Sequence, residues 1–229
     1  MEKKSGIDVA AKHPVWALGF MTGTSMDGVD AAVLLTDGET IAMIGPSHAY
    51  PFDGDQVAVL RRAVDWCPDH WPNHGKLRAK ADLWDIAELR DADELLVDAH
   101  VEAGAAISAA FCAYPVAASP DWMHRVFERG ESIGVLGFHG QTVLHRPEDG
   151  YTLQIGDGPL LAERSGFDAP VVHDFRSGDM AAGGEGAPLA PFYHFALARH
   201  IGADRPLAFL NIGGVGNVTW VDPARAAPE

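Results

Sequence analysis

The chain has 229 residues, of which 47% are hydrophobic and 21% charged, a balance typical of a globular protein with one large domain or two small ones. Its 32 acidic residues outnumber the 17 basic ones, and the formal net charge of −15 argues against nucleic acid or anionic membranes as partners. Residues 1–13 are polar and expected to be flexible, and they lack the apolar core of a signal peptide. No run approaches the roughly 20 apolar residues of a spanning helix, and the two cysteines suggest no disulfide framework, so we expect a cytoplasmic protein.

The first half of the chain begins with strands and continues with helices. Apolar runs predict three successive antiparallel strands over residues 15–21, 31–36 and 40–48. Apolar residues at helical spacing predict a helix over 53–66. Prolines and histidines indicate a loop over 67–76, and the alanine-rich residues 80–114 indicate one long helix or two.

The second half alternates strands with helices. Ser119 and Pro120 are suited to begin a helix that ends near Gly130. Further strands are predicted over residues 133–138, 151–155 and 170–173, and further helices over 159–165 and 188–200. Residues 139–142 are interpreted as a polar turn, and 174–187 as a long loop rich in glycine and aspartate.

This order of elements predicts an α/β domain with a mixed sheet over residues 14–205. A new hairpin begins after it, with strands at 207–212 and 217–221 around a glycine-rich turn. The segment 206–229 is too short to bury a core of its own, so we interpret it as the opening of an incomplete second lobe.

Residues 22–30, between the first two strands, hold the densest set of functional groups in the sequence. They combine two glycines with hydroxyl and carboxylate side chains. Main-chain N–H groups in such a turn can bind polyphosphate oxygens, and carboxylates can hold Mg²⁺ directly or through water. The alternative is an ordinary turn built from glycine, serine and aspartate.

Five blocks in order resemble the anhydro-N-acetylmuramic acid kinase family. They are GFMTGTSMDGVD at 19–30, GFHGQT at 137–142 running on to HRP at 145–147, LQIGD at 153–157, DFRSGD at 174–179 with AGGEGAPL at 182–189, and NIGGVGNVT at 211–219. The resemblance covers nearly the whole chain. It implies the actin-like, hexokinase-like sugar kinase superfamily, with two ribonuclease-H-like lobes around a cleft.

The resemblance also implies a reaction. ATP phosphorylates the 6-oxygen of 1,6-anhydro-N-acetylmuramic acid while water opens the anhydro ring, giving N-acetylmuramic acid 6-phosphate in cell-wall recycling. Phosphoryl transfer needs mainly positioning and charge neutralisation, which the 22–30 turn and Mg²⁺ are suited to supply. The resemblance makes a homodimer plausible.

The implied site residues fall into three groups. Asp179 is expected to be the catalytic base that deprotonates water. The expected ligands of ATP are Gly23, Thr24, Ser25, Met26, Asp27, Gly28, Val29, Asp30, Asn211, Gly213, Gly214 and Asn217. Asp27 is also the expected Mg²⁺-side carboxylate, either directly or through water. The expected sugar ligands are His139, Gln141, Thr142 and Asp179.

Several alternatives stay open at this point. Asp27 and Asp179 also suit simple turn or cap residues, and Asp174 is expected to be structural, pairing Arg176. The protein is alternatively a kinase for another amino sugar, or a truncated chain that acts only as a binding module. Glu185 stands where the family usually has glutamine, residues 66–80 match no family block, and the family's chains are considerably longer. We therefore expect the chain alone to have little or no activity.

Overall fold

A five-stranded mixed sheet lies at the centre of the fold. The structure is a computed structural model, and it describes residues 14–70, 85–113, 132–212 and 216–225. In chain order the strands are β1 Val15–Thr22, β2 Gly28–Thr36, β3 Ile41–Pro51, β4 Ile133–Phe138, β5 Gln141–Arg146, β6 Tyr151–Ile155, β7 Val171–His173, β8 Leu207–Asn211 and β9 Asn217–Val221.

The order of strands in the central sheet is β3-β2-β1-β4-β7. β1 and β3 both run antiparallel to β2, whereas β1, β4 and β7 run parallel to one another. The hairpins β5–β6 and β8–β9 form two further sheets of two strands each. The predicted α/β class and the mixed sheet with an antiparallel start are therefore confirmed.

Five α-helices occur within the described residues: α1 Gly54–His70, α2 Ala87–Cys112, α3 Gly158–Arg164, α4 Phe175–Ala181 and α5 Ala190–His200. A 3₁₀ helix, Pro147–Asp149, joins β5 to β6. α1 runs past the predicted boundary, because Cys67 is fully buried in the cluster that also contains Leu60 and Ala63. The prediction of a loop from residue 67 is therefore wrong as far as residue 70. Predictions for residues 1–13, 71–84 and 114–131 lie outside the described residues.

Alternating burial shows which face of β1 and β2 forms the core. On β1, Trp16, Leu18 and Phe20 are buried while their neighbours point to the other face. The same alternation on β2 buries its odd-numbered apolar residues from Val29 to Leu35. Each fully buried large apolar side chain contributes about 1.5–3 kcal/mol to stability, so this face forms the main core.

α2 packs on the buried face of the sheet and belongs to the core. It has 26 residues and is long and apolar enough, by length and composition alone, to cross a membrane. That finding differs from the sequence analysis, which found no such run. The helix nevertheless buries polar groups: the Asp93 carboxylate accepts a hydrogen bond of 2.6 Å from the Gly156 N–H. Leu89, Leu96 and Ile107 on α2 are likewise buried inside the protein.

Candidate functional site

Three parallel strands end at the same edge of the central sheet. The register pairs Phe20 of β1 with Phe138 of β4, and Phe138 with His173 of β7. Three segments leave these strand ends and therefore start side by side: residues 23–27, 139–142 and 174–186. Ligands of open α/β sheets bind outside the carboxyl ends of the strands, so this edge is the candidate site.

The first segment is a tight turn with one left-handed residue. Met26 has a φ of 53°, and its N–H donates to the Gly23 carbonyl oxygen over 3.1 Å. The Ser25 hydroxyl donates to Asp27 Oδ1 over 2.7 Å. Thr24, Ser25 and Asp27 are exposed, so the polar groups of the turn are accessible to a ligand.

The strands extend further into this turn than the sequence predicted. Thr22 ends β1, whereas Gly28, Val29 and Asp30 already belong to β2. Val29 is fully buried, and a Cβ on Gly28 would collide with the Tyr50 carbonyl oxygen. The close approach of β3 therefore accounts for glycine at position 28, and the predicted cofactor contacts of these β2 residues stay predictions.

The turn has groups that fit an anion and a cation. In the part of the chain that the structure describes, the N–H groups of Thr24 and Ser25 donate to no protein acceptor. Asp27 offers an exposed carboxylate, the kind of oxygen ligand that Mg²⁺ prefers. No cluster of three or more His, Cys, Asp or Glu among the described residues surrounds a metal position. Water and phosphate oxygens would therefore complete the shell of a magnesium ion held here.

A buried histidine supports the turn from α2. His100 Nδ1–H donates to the Leu96 carbonyl oxygen over 2.6 Å, so Nε2 is the acceptor that faces the Thr22 hydroxyl 3.4 Å away. The imidazole also contacts the rings of Phe20 and Phe138, with centroids 5.3 and 4.7 Å away. Burial lowers the pKa of His100 to about 4, so the ring is neutral at neutral pH.

The second segment contains the start of a strand, not only the polar turn that the sequence predicted. Gln141 and Thr142 begin β5, because they pair with Ile155 and Gln154 of β6. Gln141 is 2% exposed and its amide Nε2 donates to the Thr142 carbonyl oxygen over 3.2 Å. Its Oε1 is buried without a hydrogen-bond partner among the described residues. A buried acceptor of this kind would be satisfied by a ligand N–H or O–H.

A row of polar side chains lies on the β5–β6 hairpin. Gln154 Nε2 donates to the Thr152 and Thr142 hydroxyl oxygens over 2.8 and 3.3 Å. His145 Nδ1 lies 3.0 Å from the Thr152 hydroxyl. Sequence reasoning assigned no role to Gln154, although its place in the 153–157 block beside the predicted sugar ligands was a signal.

Asp179 lies on a helix, not in the loop that the sequence predicted. Asp174, with a φ of 55°, turns the chain out of β7, and its carboxylate accepts a hydrogen bond of 2.7 Å from the Ser177 hydroxyl. This local bond stabilises the first turn of α4, whose glycine content had suggested a loop. Asp174 therefore bonds Ser177, and the predicted pairing of Asp174 with Arg176 is wrong.

A glycine-rich loop folds back over the Asp179 carboxylate. The Gly186 N–H donates to Asp179 Oδ2 over 2.8 Å, and the Gly184 N–H donates to the Asp179 carbonyl oxygen over 2.9 Å. A Cβ on Gly184 would overlap the carboxylate, and Gly186 has a φ of 73°. The loop can therefore hold the side chain of Asp179 only with glycine at both positions.

Arg176 connects the second and third segments. Its Nε–H donates to His139 Nε2 over 2.9 Å, and its Nη1–H donates to the Gly186 carbonyl oxygen over 3.1 Å. His139 is buried, and its Nδ1 lies 2.7 Å from the Gly140 carbonyl oxygen. Burial, with the Arg176 charge, lowers the pKa of His139, and burial also lowers the pKa of Arg176. Both ring nitrogens of the predicted sugar ligand His139 are thus already bonded.

The second predicted glycine-containing hairpin, which holds Asn211 and Asn217, belongs to a separate two-stranded sheet. Asn211 and Asn217 pair in register at the end of the β8–β9 hairpin, and both are exposed. Gly213 and Gly214 lie outside the described residues. The hairpin packs against α5 through a small apolar cluster of its own. The structure therefore brings the first three segments to one sheet edge and places these residues on another sheet.

A mixed α/β sheet with polar segments gathered at the carboxyl ends of its parallel strands defines the class of α/β proteins whose small ligands bind at that edge. Residues 69–228 match the family model described as Anhydro-N-acetylmuramic acid kinase. A protein of Cereibacter sphaeroides named anhydro-N-acetylmuramic acid kinase is 48% identical over 94% of this chain and 47% of its own length. The chain belongs to the anhydro-N-acetylmuramic acid kinase family.

Two further relatives show the same partial coverage. Anhydro-N-acetylmuramic acid kinase 1 of Jannaschia sp. is 43% identical over 98% of this chain and 49% of its own length. The protein of Roseobacter denitrificans named anhydro-N-acetylmuramic acid kinase is 41% identical over 96% of this chain and 48% of its own length. The chain therefore spans about half the length of the curated relatives it matches.

Proposed function

We propose that this chain provides the catalytic edge of an ATP-dependent kinase that converts 1,6-anhydro-N-acetylmuramic acid to N-acetylmuramic acid 6-phosphate in peptidoglycan recycling. The observation that carries the proposal is the convergence of three motif segments at the carboxyl ends of β1, β4 and β7, in a chain of this family. Its relatives are named for that activity.

We also propose that residues 14–205 form a ribonuclease-H-like lobe of the actin-like superfamily. The strand order β3-β2-β1-β4-β7, in which β2 alone runs antiparallel to the other four strands, supports this assignment. Residues 206–229 would open the second lobe, and the separate β8–β9 sheet supports that division.

In the proposed chemistry, the carboxylate of Asp179 is the base that activates the attacking water. Asp179 takes a proton from the water while the water oxygen bonds to the anomeric carbon, and the bond from that carbon to the 6-oxygen breaks. The 6-oxygen then bonds to the γ-phosphorus of ATP as the bond from that phosphorus to the β–γ bridging oxygen breaks and ADP leaves, and Mg²⁺ would neutralise the phosphate charge. The N–H groups of Thr24 and Ser25 would hold phosphate oxygens, and Asp27 would lie on the Mg²⁺ side.

Gln141 and Thr142 are the proposed sugar ligands. The buried, unpartnered Oε1 of Gln141 among the described residues supports a hydrogen bond from the acetamido N–H or a hydroxyl of the sugar. We assign the protein to the cytoplasm, with the small-molecule sugar as its partner and a homodimer as its assembly. The net charge of −15 disfavours nucleic acid and anionic membrane partners.

The test compares Asp179→Asn with Asp174→Asn, a matched change five residues earlier in the same motif block. ADP release with the anhydro sugar is measured for this chain and for the chain extended by the C-terminal half of the Cereibacter sphaeroides relative. Loss of a general base lowers kcat by about 10²–10⁴-fold, so Asp179→Asn should nearly abolish turnover. Asp174→Asn should retain it, because asparagine tolerates the left-handed backbone.

Undiminished turnover by Asp179→Asn would remove Asp179 from the mechanism. Equal turnover of an unrelated amino sugar would favour the alternative substrate. Calorimetric binding of the sugar without any turnover in the extended chain would favour a binding module.

A further inference from the structure

We propose that His139 and Arg176 form a relay that positions the Asp179 carboxylate through the backbone of Gly186. The inference rests on the proposed function only in taking Asp179 as the base. His139 and Arg176 are both positioning residues. His139 therefore orients Arg176, in place of the direct sugar binding that the sequence had predicted.

The bonding of His139 sets the direction of the relay. The Gly140 carbonyl oxygen, 2.7 Å from Nδ1, can only accept, so Nδ1 carries the proton. Nε2 then has a lone pair, and Arg176 Nε–H donates to it over 2.9 Å. The neutral ring therefore acts as a fixed acceptor that orients the guanidinium, and neither nitrogen is left for a ligand.

Arg176 uses its planar guanidinium to reach a second acceptor. Nε bonds His139 while Nη1 bonds the Gly186 carbonyl oxygen, a two-point geometry that the single ammonium of lysine does not reproduce. No carboxylate among the described residues lies within 4.0 Å of Arg176. A half-buried cation is thus committed to a ring nitrogen and a loop carbonyl in place of an ion pair.

Both backbone polar groups of Gly186 are held by one helix. Arg176 bonds its carbonyl oxygen and Asp179 Oδ2 accepts from its N–H, and these two residues are three apart on α4. Side chains at this spacing lie on the same helix face, so both reach the loop together. Because the Gly186 N–H bonds Oδ2, the relay selects the orientation in which Oδ1 is available to accept a proton from water.

Nuclear magnetic resonance of the 229-residue chain tests the relay without any need for turnover. The ¹⁵N shifts of the His139 ring should show a protonated Nδ1 and an unprotonated Nε2 at pH 7. Arg176→Lys removes a donor to the Gly186 carbonyl oxygen, and His139→Leu removes the acceptor that orients Arg176, so each should speed hydrogen exchange at the Gly186 amide about tenfold. His139→Gln keeps an acceptor for Arg176 and should restore slow exchange.

Arg164→Lys is the control, because Arg164 makes an exposed ion pair with Asp98 and should leave exchange at Gly186 unchanged. In the Asp179→Asn background the effect of Arg176→Lys should shrink, because both substitutions act on the backbone of Gly186. A protonated Nε2 in the wild-type ring, or unchanged Gly186 exchange in folded Arg176→Lys and His139→Leu, would overturn the relay. The ring spectrum needs no variant, so it decides even where a variant fails to fold, while ADP release by Asp179→Asn judges the base separately.

Discussion

His100 shows how one buried side chain connects the core to the candidate site. It has 0% exposure, contacts two core phenylalanines and faces the last residue of β1 across a hydrogen bond. Burial favours its neutral form, and the bond from Nδ1–H to Leu96 sets which nitrogen can accept. The turn that follows Thr22 is therefore attached to a ring that must stay uncharged.

This burial predicts a loss of stability in acid. The unfolded chain binds the proton near pH 6.5 and the folded chain only near pH 4, so the contribution of His100 is complete above about pH 6.5 and is lost as the pH falls to 4. The shift corresponds to roughly 3 kcal/mol of unfolding free energy. Urea denaturation from pH 8 to 4 should show the wild type losing that much more than His100→Gln, which cannot titrate. Parallel curves for the two proteins would contradict the assignment.

At the scale of elements, α4 and the loop behind it form one unit around Asp179. The helix places Asp179 and Arg176 on one face, and the loop returns two glycines to that face. The glycines of this region differ in their surroundings. Gly178 has open space around its Cβ position, whereas Gly184 lies against the carboxylate.

The two glycines should respond to alanine in opposite ways. Gly178→Ala should stabilise the protein by up to about 1 kcal/mol, because alanine is favoured inside helices. Gly184→Ala should destabilise it by about 1 kcal/mol or more, because the new methyl displaces the Asp179 carboxylate from the Gly186 N–H. Urea unfolding of both variants measures the difference, and equal effects would contradict the proposed packing.

Alternation and motif spacing predicted most elements, but not the helix that holds Asp179. β1 and β2 bury alternate apolar residues, and such a pattern is readable in any window of the sequence. α4 contains Gly178 and is stabilised by contacts of Arg176 and Asp179 with residues several positions later, which no local pattern records. The Arg176–His139 bond spans 37 positions and was likewise invisible.

At the scale of the whole molecule, the β8–β9 hairpin is apolar on both faces. One face packs on α5 through Val221, while Leu210, Val218 and Trp220 on the other are 68%, 66% and 58% exposed. Sheets that are apolar on both sides are normally covered on both sides. This arrangement accords with a chain that spans about half the length of its relatives.

The exposed hairpin face predicts self-association of the isolated chain. Sedimentation of the 229-residue chain should depend on concentration, because contiguous apolar surface drives association. Replacing Leu210 and Trp220 together by serine should give a monomer. The matched change Val15→Ser, at another exposed apolar residue, should leave association unchanged. A wild-type chain that is monomeric at high concentration would contradict the prediction.

The convergence of three segments at one edge was only partly predictable. The blocks at 22–30, 139–142 and 174–187 were recognisable from their residue types, but nothing in those residues states which strands are neighbours. The parallel pairing of β1 with β4 and of β4 with β7 brings them together. Pairing of distant strands depends on the packing of the whole sheet, which a single sequence does not display.

β7 consists of three residues and lies at the margin of the sheet, yet α4 and Asp179 follow it directly. Short marginal strands detach at a free energy well below that of global unfolding. Detachment of β7 would carry Asp179 away from the 23–27 turn while β1, β2 and β4 stayed paired. The protein would then alternate between two forms without melting, and, with Asp179 as the proposed base, the population of the form with β7 paired would set an upper limit on the proposed turnover.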